Sequence, residues 1–331
     1  MHISLFHPAG DFEQLVEATQ CAEEAGFHGC YFGEHHGAPA SDRPQLLVLL
    51  AALAARTSSI RLGTSILLSP LYDPMQVAES ASMVDVISRG RLDLGLGLGY
   101  QPRDFQQFNV PFKQRVSRFE ESVEVLRQAW SGGRFSYRGR RFAYDDVAVY
   151  PRPVQRPHPP IWLAAWSLPG AARAGRLGDA YVTDPIQNLN AIKAFAERYR
   201  AASSDAGKPG EIVLMREFLC APTRSEAYDR YAEGVLAQYR YYWQNGAFNA
   251  EFDPWIADIG DRSEITWDMV SGERVIYGTP DDCIGQLEHW ARELGTDHIQ
   301  LAVPHRRDMT PAQQLDTIRL VGEEVIPKLG K

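Results

Sequence analysis

Cysteine is scarce in this chain and never closely paired. Cys21, Cys30, Cys220 and Cys283 are the four among 331 residues, and no CxxC spacing joins any two. That excludes a disulfide framework and a cysteine zinc site, and it fits a reduced, cytoplasmic protein. Long apolar runs are also missing. The longest, Leu46 to Ala55, falls well short of the roughly 20 residues that cross a bilayer, so no membrane partner is expected. The N-terminal MHISLFHPAG has neither a basic lead nor an apolar signal segment, so secretion is not indicated. No block of like charge occurs, and the net charge of -8 leaves no clustered positive surface for nucleic acid. HxH and HExxH metal patterns are absent, as is the GxGxxG dinucleotide fingerprint.

A composition of 44% hydrophobic and 23% charged residues, with no low-complexity tract, predicts globular order throughout. Short β-type runs alternate with helical patterns to the end of the chain. Strands fit His2–Phe6, Gly29–Gly33, Ile60–Ser65, Leu92–Gly97, Pro160–Ala165, Tyr181–Thr183, Ile212–Cys220 and His298–Val303. Eight strands, each followed by a helix, predict an α/β fold: a single TIM (β/α)8 barrel domain spanning 1–331. The excess over about 250 residues belongs in insertions at about 135–153 and 248–273. The first alternates aromatic and polar residues around Gly139 like a hairpin. The second, with Phe248, Phe252, Trp255 and Trp267, reads either as a lid over the barrel mouth or as a loop anchored by its aromatics. Asp73-Pro74, Thr279-Pro280 and Thr310-Pro311 each place a capping side chain before a proline at the first helical position. Asp282 and Gln313 stand three residues after their caps, where a side chain can reach back.

An open doubly wound sheet is the competing architecture, suggested by Gly95, Gly97 and Gly99 in RLDLGLGLGY. Their spacing is GxGxG, on the fourth strand and not the first. The glycines serve either the close approach of a flat ligand or relief of crowding inside a barrel strand.

The stretch YFGEHH carries the most suggestive chemistry. Neighbouring side chains on an extended segment diverge, so His35 and His36 cannot easily share one metal ion, and no metal site is assigned. At the C-terminal end of the second barrel strand, however, His35 would stand where barrel enzymes assemble their sites, able to exchange a proton near neutral pH.

Four segments occur in order: GFHGCYFGEHH, RLGTSILLSPLYDPMQVAESASMVDVISRGRLDLGLGLG, PPIWLAAWSLPGAARAGRLGDAY and YGTPDDCIGQLEHW. Together they resemble the bacterial luciferase-like flavin monooxygenases over nearly the full length. The resemblance implies a barrel that binds reduced FMN at its open end, reacts it with dioxygen and oxygenates a small organic substrate, with the reduced flavin supplied by a separate flavin reductase. It implies a catalytic role for His35, and a non-prolyl cis peptide between Ser65 and Ile66 beneath the flavin ring. Phosphate would be received by the Ser167 hydroxyl with the N–H groups of Gly170 and Ala171, and gripped by Arg118; plain capping by Ser167 and a helix salt bridge from Arg118 to Glu120 or Glu121 are the alternatives. Bacterial luciferase has a cysteine and an arginine where this chain has Gly97 and Leu98, and a glutamate where it has Trp166; the resemblance therefore implies a less polar phosphate region, and light emission is not expected. Phe6, Tyr100, Trp162 and Trp166 supply apolar walls. The nearly all-apolar helix at 44–56, with that at 74–88, is expected to form a homodimer interface. A deazaflavin-dependent hydride-transfer enzyme and a non-catalytic flavin-binding protein remain as alternatives.

Overall fold

The computed structural model describes residues 1–37, 43–303 and 309–329. In chain order the strands are β1 (His2–Phe6), β2 (Gly29–Phe32), β3 (Arg61–Leu67), β4 (Leu92–Leu96), β5 (Phe135–Arg138), β6 (Ala143–Val147), β7 (Ile161–Ala164), β8 (Ala180–Val182), β9 (Glu211–Cys220), β10 (Val275–Gly278) and β11 (His298–Ala302). The helices are α1 (Phe12–Glu24), α2 (Leu46–Ala54), α3 (Pro74–Ser88), α4 (Pro102–Gln107), α5 (Arg115–Trp130), α6 (Leu168–Leu177), α7 (Leu189–Asp205), α8 (Arg224–Gln244), α9 (Trp267–Ser271), α10 (Pro280–Leu294) and α11 (Pro311–Glu324).

Eight parallel strands close in the ring order β1-β2-β3-β4-β7-β8-β9-β11, with β11 returning to β1 and β8 joined to β9. The expected TIM barrel is present, and its closure excludes the open sheet. β5 and β6 pair antiparallel with each other alone, as a hairpin. One parallel strand was not foreseen: β10 runs beside Glu217–Cys220, prolonging the ladder of β9. Its sequence VIYG is too short to show a period.

Helix starts follow the expected chemistry. The Asp73 carboxylate accepts the Met75 N–H, and Thr279 with Asp282 and Thr310 with Gln313 form reciprocal caps. α2 starts at Leu46, after Gln45 in a left-handed conformation.

Strand periodicity sorts side chains between the bore and the helical shell. Ile3, Leu5, Cys30, Leu62, Leu94 and Leu214 turn outward to the helices. Tyr31, Trp162, Ala180, Val182, Val213 and Met215 fill the bore. Tyr31 is fully buried, and its hydroxyl donates to the Asp93 carboxylate at 2.8 Å, which also receives Arg61. Gly29 and Gly63 make room for it, since a Cβ on either would lie 2.6 or 2.7 Å from the tyrosine ring. Burying such a ring removes some 150–250 Å² from water, about 4–6 kcal/mol before the hydroxyl's own desolvation is counted. The barrel is therefore plugged through its centre.

Candidate active site

The C-terminal ends of β1, β2, β4 and β7 converge at the mouth. Beyond β2 the chain runs extended through Gly33 to His36, and its two histidines part as their neighbouring positions require. His35 is exposed, whereas His36 is buried against Phe108 with ring centroids 4.6 Å apart. The His35 ring meets Tyr100 edge-on at 6.2 Å, and Tyr100 meets Trp166 at 5.0 Å. Residues from three strand ends thus form one arc of an imidazole and two aromatic rings. Burial raises the Tyr100 phenol above its ordinary pKa, so it stays neutral and can act as a donor. The Gln101 amide donates to the Tyr100 oxygen at 2.9 Å and lies 3.4 Å from the Tyr241 hydroxyl of α8. Tyr241 belongs to the helix-end run 238–246, whose tyrosines and Trp243 the sequence leaves to either the substrate or the core; the fold brings it to Gln101, which carried no signal in the sequence.

Glu34 has a role that the EHH motif alone did not reveal. Buried at 3% exposure, its carboxylate accepts the Leu68 N–H and the Tyr72 hydroxyl, with His36 Nε2 at 3.7 Å. It fastens the histidine-bearing loop to the segment after β3. A strand-parity argument could have found it, since Glu34 shares the outward side of Cys30 and Phe32.

The Ser65–Ile66 peptide is cis. The Ser65 hydroxyl donates to Gln300 Oε1 at 2.8 Å, inside the bore. Ile66 lies against Gly95 and Gly97: a Cβ on Gly97 would sit 1.7 Å from Ile66 Cδ1, and one on Gly95 would sit 2.1 Å from the Thr64 carbonyl oxygen. These glycines relieve crowding between β3 and β4. Leu98 follows half-buried, packed on the main core.

Ser167 caps α6, its hydroxyl oxygen receiving the Gly170 N–H at 3.3 Å. The Ala171 N–H bonds to the Ser167 carbonyl at 2.8 Å. The expectation that both amides are free is corrected here: both are engaged within the first turn. The turn still offers the exposed Ser167 hydroxyl and a helix N-terminus, a neutral cradle with partial positive charge that suits an anion. Arg118 takes neither Glu120 nor Glu121. Its guanidinium donates to the carbonyls of Pro70 at 2.7 Å and Tyr72 at 3.4 Å and lies over Phe142 at 4.7 Å. Glu120 holds Arg173, and Glu121 caps the hairpin by accepting the N–H groups of Arg140, Arg141 and Phe142. The structure therefore brings together His35, Tyr100 and Trp166, and separately Ser65, Ile66 and Gly97, while Arg118 is engaged with the turn before α3.

One wall assignment changes. Phe6 stands at the end of β1 with its ring toward Gly33, but Trp162 lies deeper, packed on Tyr31 at 5.2 Å and His298 at 5.3 Å. The aromatics of 248–273 act as anchors. Phe248 packs on Tyr239 and Trp255, Phe252 on Phe195, and Trp267 on Tyr228 and Tyr277, while Arg274 and Asp253 form a buried ion pair beneath them.

A family model described as luciferase-like monooxygenase matches residues 2–298. The chain belongs to that family. Among luciferase-like relatives, the oxygenase component of the flavin-dependent trigonelline monooxygenase of Acinetobacter baylyi is 32% identical over 230 residues, 65% of this chain and 61% of that protein. The F420-dependent glucose-6-phosphate dehydrogenase of Amycolatopsis mediterranei is 26% identical over 337 residues, covering 95% of this chain and 94% of its own. Among solved structures, the monooxygenase RslO1 of Streptomyces bottropensis superposes with a TM-score of 0.82 at 27% identity, covering 99% of both chains. The trigonelline monooxygenase is thus flavin-dependent and the glucose-6-phosphate dehydrogenase F420-dependent, and both are oxidoreductases. No helix among the described residues is long and apolar enough to cross a membrane.

Proposed function

We propose that this luciferase-like chain is the oxygenase of a two-component FMN monooxygenase, taking reduced FMN from a separate flavin reductase and using dioxygen to oxygenate a small organic substrate. The observation that carries this reading is the arc of exposed His35, Tyr100 and Trp166 at the mouth. It sets one proton-exchanging group against apolar aromatic surface, the combination oxygen chemistry needs if water is to be kept from the reacting centre. Bound reduced FMN would supply the electrons that activate dioxygen. Ser65, Ile66, Gly97 and Leu98 would form the floor for its ring, Trp166 a wall, and the Ser167–Ala171 turn the phosphate end, with Arg118 in a supporting place behind the turn before α3. His35 acts as acid or base toward the reacting groups, and Tyr100, kept neutral, orients it across the arc.

A second reading, deazaflavin-dependent hydride transfer, draws support from the likeness to the F420-dependent dehydrogenase over nearly the whole chain. Anaerobic fluorescence titration with reduced FMN and reduced F420 decides between them. Tenfold or tighter preference for FMN, with oxygen consumption on mixing with aerated buffer, is expected; preference for F420 would reverse the assignment.

The same reading includes a homodimer. Val48 of α2 is 69% exposed and Met83 of α3 is 45% exposed. They line a groove of about 540 Å³ with Leu47, Ala51 and Val77. Burying such a surface against a second copy removes apolar area from water.

A further inference from the structure

Three histidines that stand far apart in the sequence meet at the base of the barrel, the end opposite the mouth. His2 opens β1 and His298 opens β11, and the two strands pair in parallel with His2 beside His298. HISLF and HIQLA share one parity: Ile and Leu pack outward in the shell, and the histidine and the polar third residue take the opposite side. His28 directly precedes β2, its N–H bonded to the Ile3 carbonyl at 2.7 Å. One ring nitrogen from each histidine lies within 4.8 Å of the other two. His298 is buried, His28 half-buried and His2 exposed, so the cluster is rooted in the barrel and open to solvent on one side.

We propose that His2, His28 and His298 form a site for a divalent transition-metal cation of the zinc type, tying the first, second and last barrel strands together at the base. Neutral imidazole nitrogens are suited to zinc, copper or nickel, and three of them with one water complete a tetrahedral zinc shell. The supporting shell is present as well. Nε2 of His298 is hydrogen-bonded to the Ser4 hydroxyl at 3.0 Å, the contact that fixes a ligand imidazole when its other nitrogen binds metal. Arg61, whose charge reaches His28, is held by the Asp93 carboxylate, and Asp297 adds negative charge near His28. Burial and mutual repulsion keep His28 and His298 unprotonated, with pKa values pushed down to about 4 and about 3. Their lone pairs are free of protons at neutral pH.

The rings of His2 and His28 stack at 4.1 Å with only 4° between planes, whereas His28 and His298 stand at 83°. Lone pairs of parallel rings do not converge, so capture of an ion turns the exposed His2 ring out of its stack. His28 and His298 then supply the rooted pair, and His2 closes on the ion from the solvent side.

The test uses the full chain, freed of any affinity-tag histidines and stripped of metal, titrated with Zn2+ and with Co2+. Expected are one equivalent per chain at micromolar affinity or better, visible Co2+ bands of a four-coordinate centre, and a raised melting temperature at saturating Zn2+. His2→Ala, at an exposed position, weakens Zn2+ at least tenfold, and His28→Asn removes the Co2+ bands. Both variants keep the wild-type far-ultraviolet circular dichroism and FMN affinity, because the mouth is untouched. Less than half an equivalent bound by the wild type, or affinity within twofold of wild type in either variant, overturns the site and leaves the histidines as packing alone.

Discussion

His35 stands exposed beside Tyr100, so replacing it removes a proton-exchanging group without opening the core. His35→Ala is expected to keep FMN affinity within about twofold while turnover at saturating reduced flavin falls roughly 10²-fold or more, the usual contribution of a general acid or base. Unchanged turnover would remove His35 from the chemistry. Gly97 makes a different prediction. The Cβ of Gly97→Ala falls inside the Ile66 side chain, so the variant should lose about 1–3 kcal/mol in urea denaturation, the usual range for overpacking. Adding Ile66→Ala should restore much of that loss. The candidate site was partly legible at this scale. The EHH run and the aromatics Phe6, Tyr100 and Trp166 near three strand ends marked the mouth, because strand ends and catalytic chemistry coincide in a barrel. Trp162 was misplaced because a strand of four residues gives its ends only to within a position or two. Gln300, which receives Ser65, could have been read from parity alone: a polar residue between Ile299 and Leu301 must face the bore.

Individual elements carry their own tests. Glu23, at the end of α1, accepts the N–H groups of Ser58, Ser59 and Ile60 and so ties that helix to the entry of β3. Burial alone would raise its pKa, but the three N–H groups and the Ser59 hydroxyl outweigh it and hold the carboxyl below its ordinary 4.5. A lowered folded pKa means the unfolded chain binds its proton first as pH falls. The Glu23 contribution is therefore complete above pH 4.5 and fades as pH drops through the folded value. Glu23→Gln should lower stability by a constant amount near neutrality, and the gap to wild type should close in acid-titrated urea curves. At the start of α10, Thr279→Ala removes the reciprocal cap with Asp282 and should cost ~1 kcal/mol by the same measurement. Caps of this kind made helix starts readable, since Asp or Thr before Pro acts through atoms three residues away at most. β10 could not be read that way. Four residues fixed by pairing with the far end of β9 take their conformation from a partner more than fifty positions earlier.

At the scale of the whole molecule, α2 leaves Val48 outward because both of its faces are apolar and only one can meet the barrel. Sedimentation velocity at micromolar concentration should show a dimer, and Val48→Arg with Met83→Glu should shift it to monomer without changing the far-ultraviolet spectrum. A monomer in the wild type would refute the interface. The closed ring itself was legible, because eight β-runs separated by helical patterns admit few parallel sheets; the contents of its bore were not, because residues such as Tyr31 and Trp162 meet there from strands far apart in sequence. That plug also closes the inside of the barrel to passing molecules. With Tyr31 and Trp162 packed together across the bore, the interior of the strand ring offers no passage from the mouth to the base. On the proposed reading, a cofactor seated on the Ser65–Ile66 floor would have to enter and leave by the mouth.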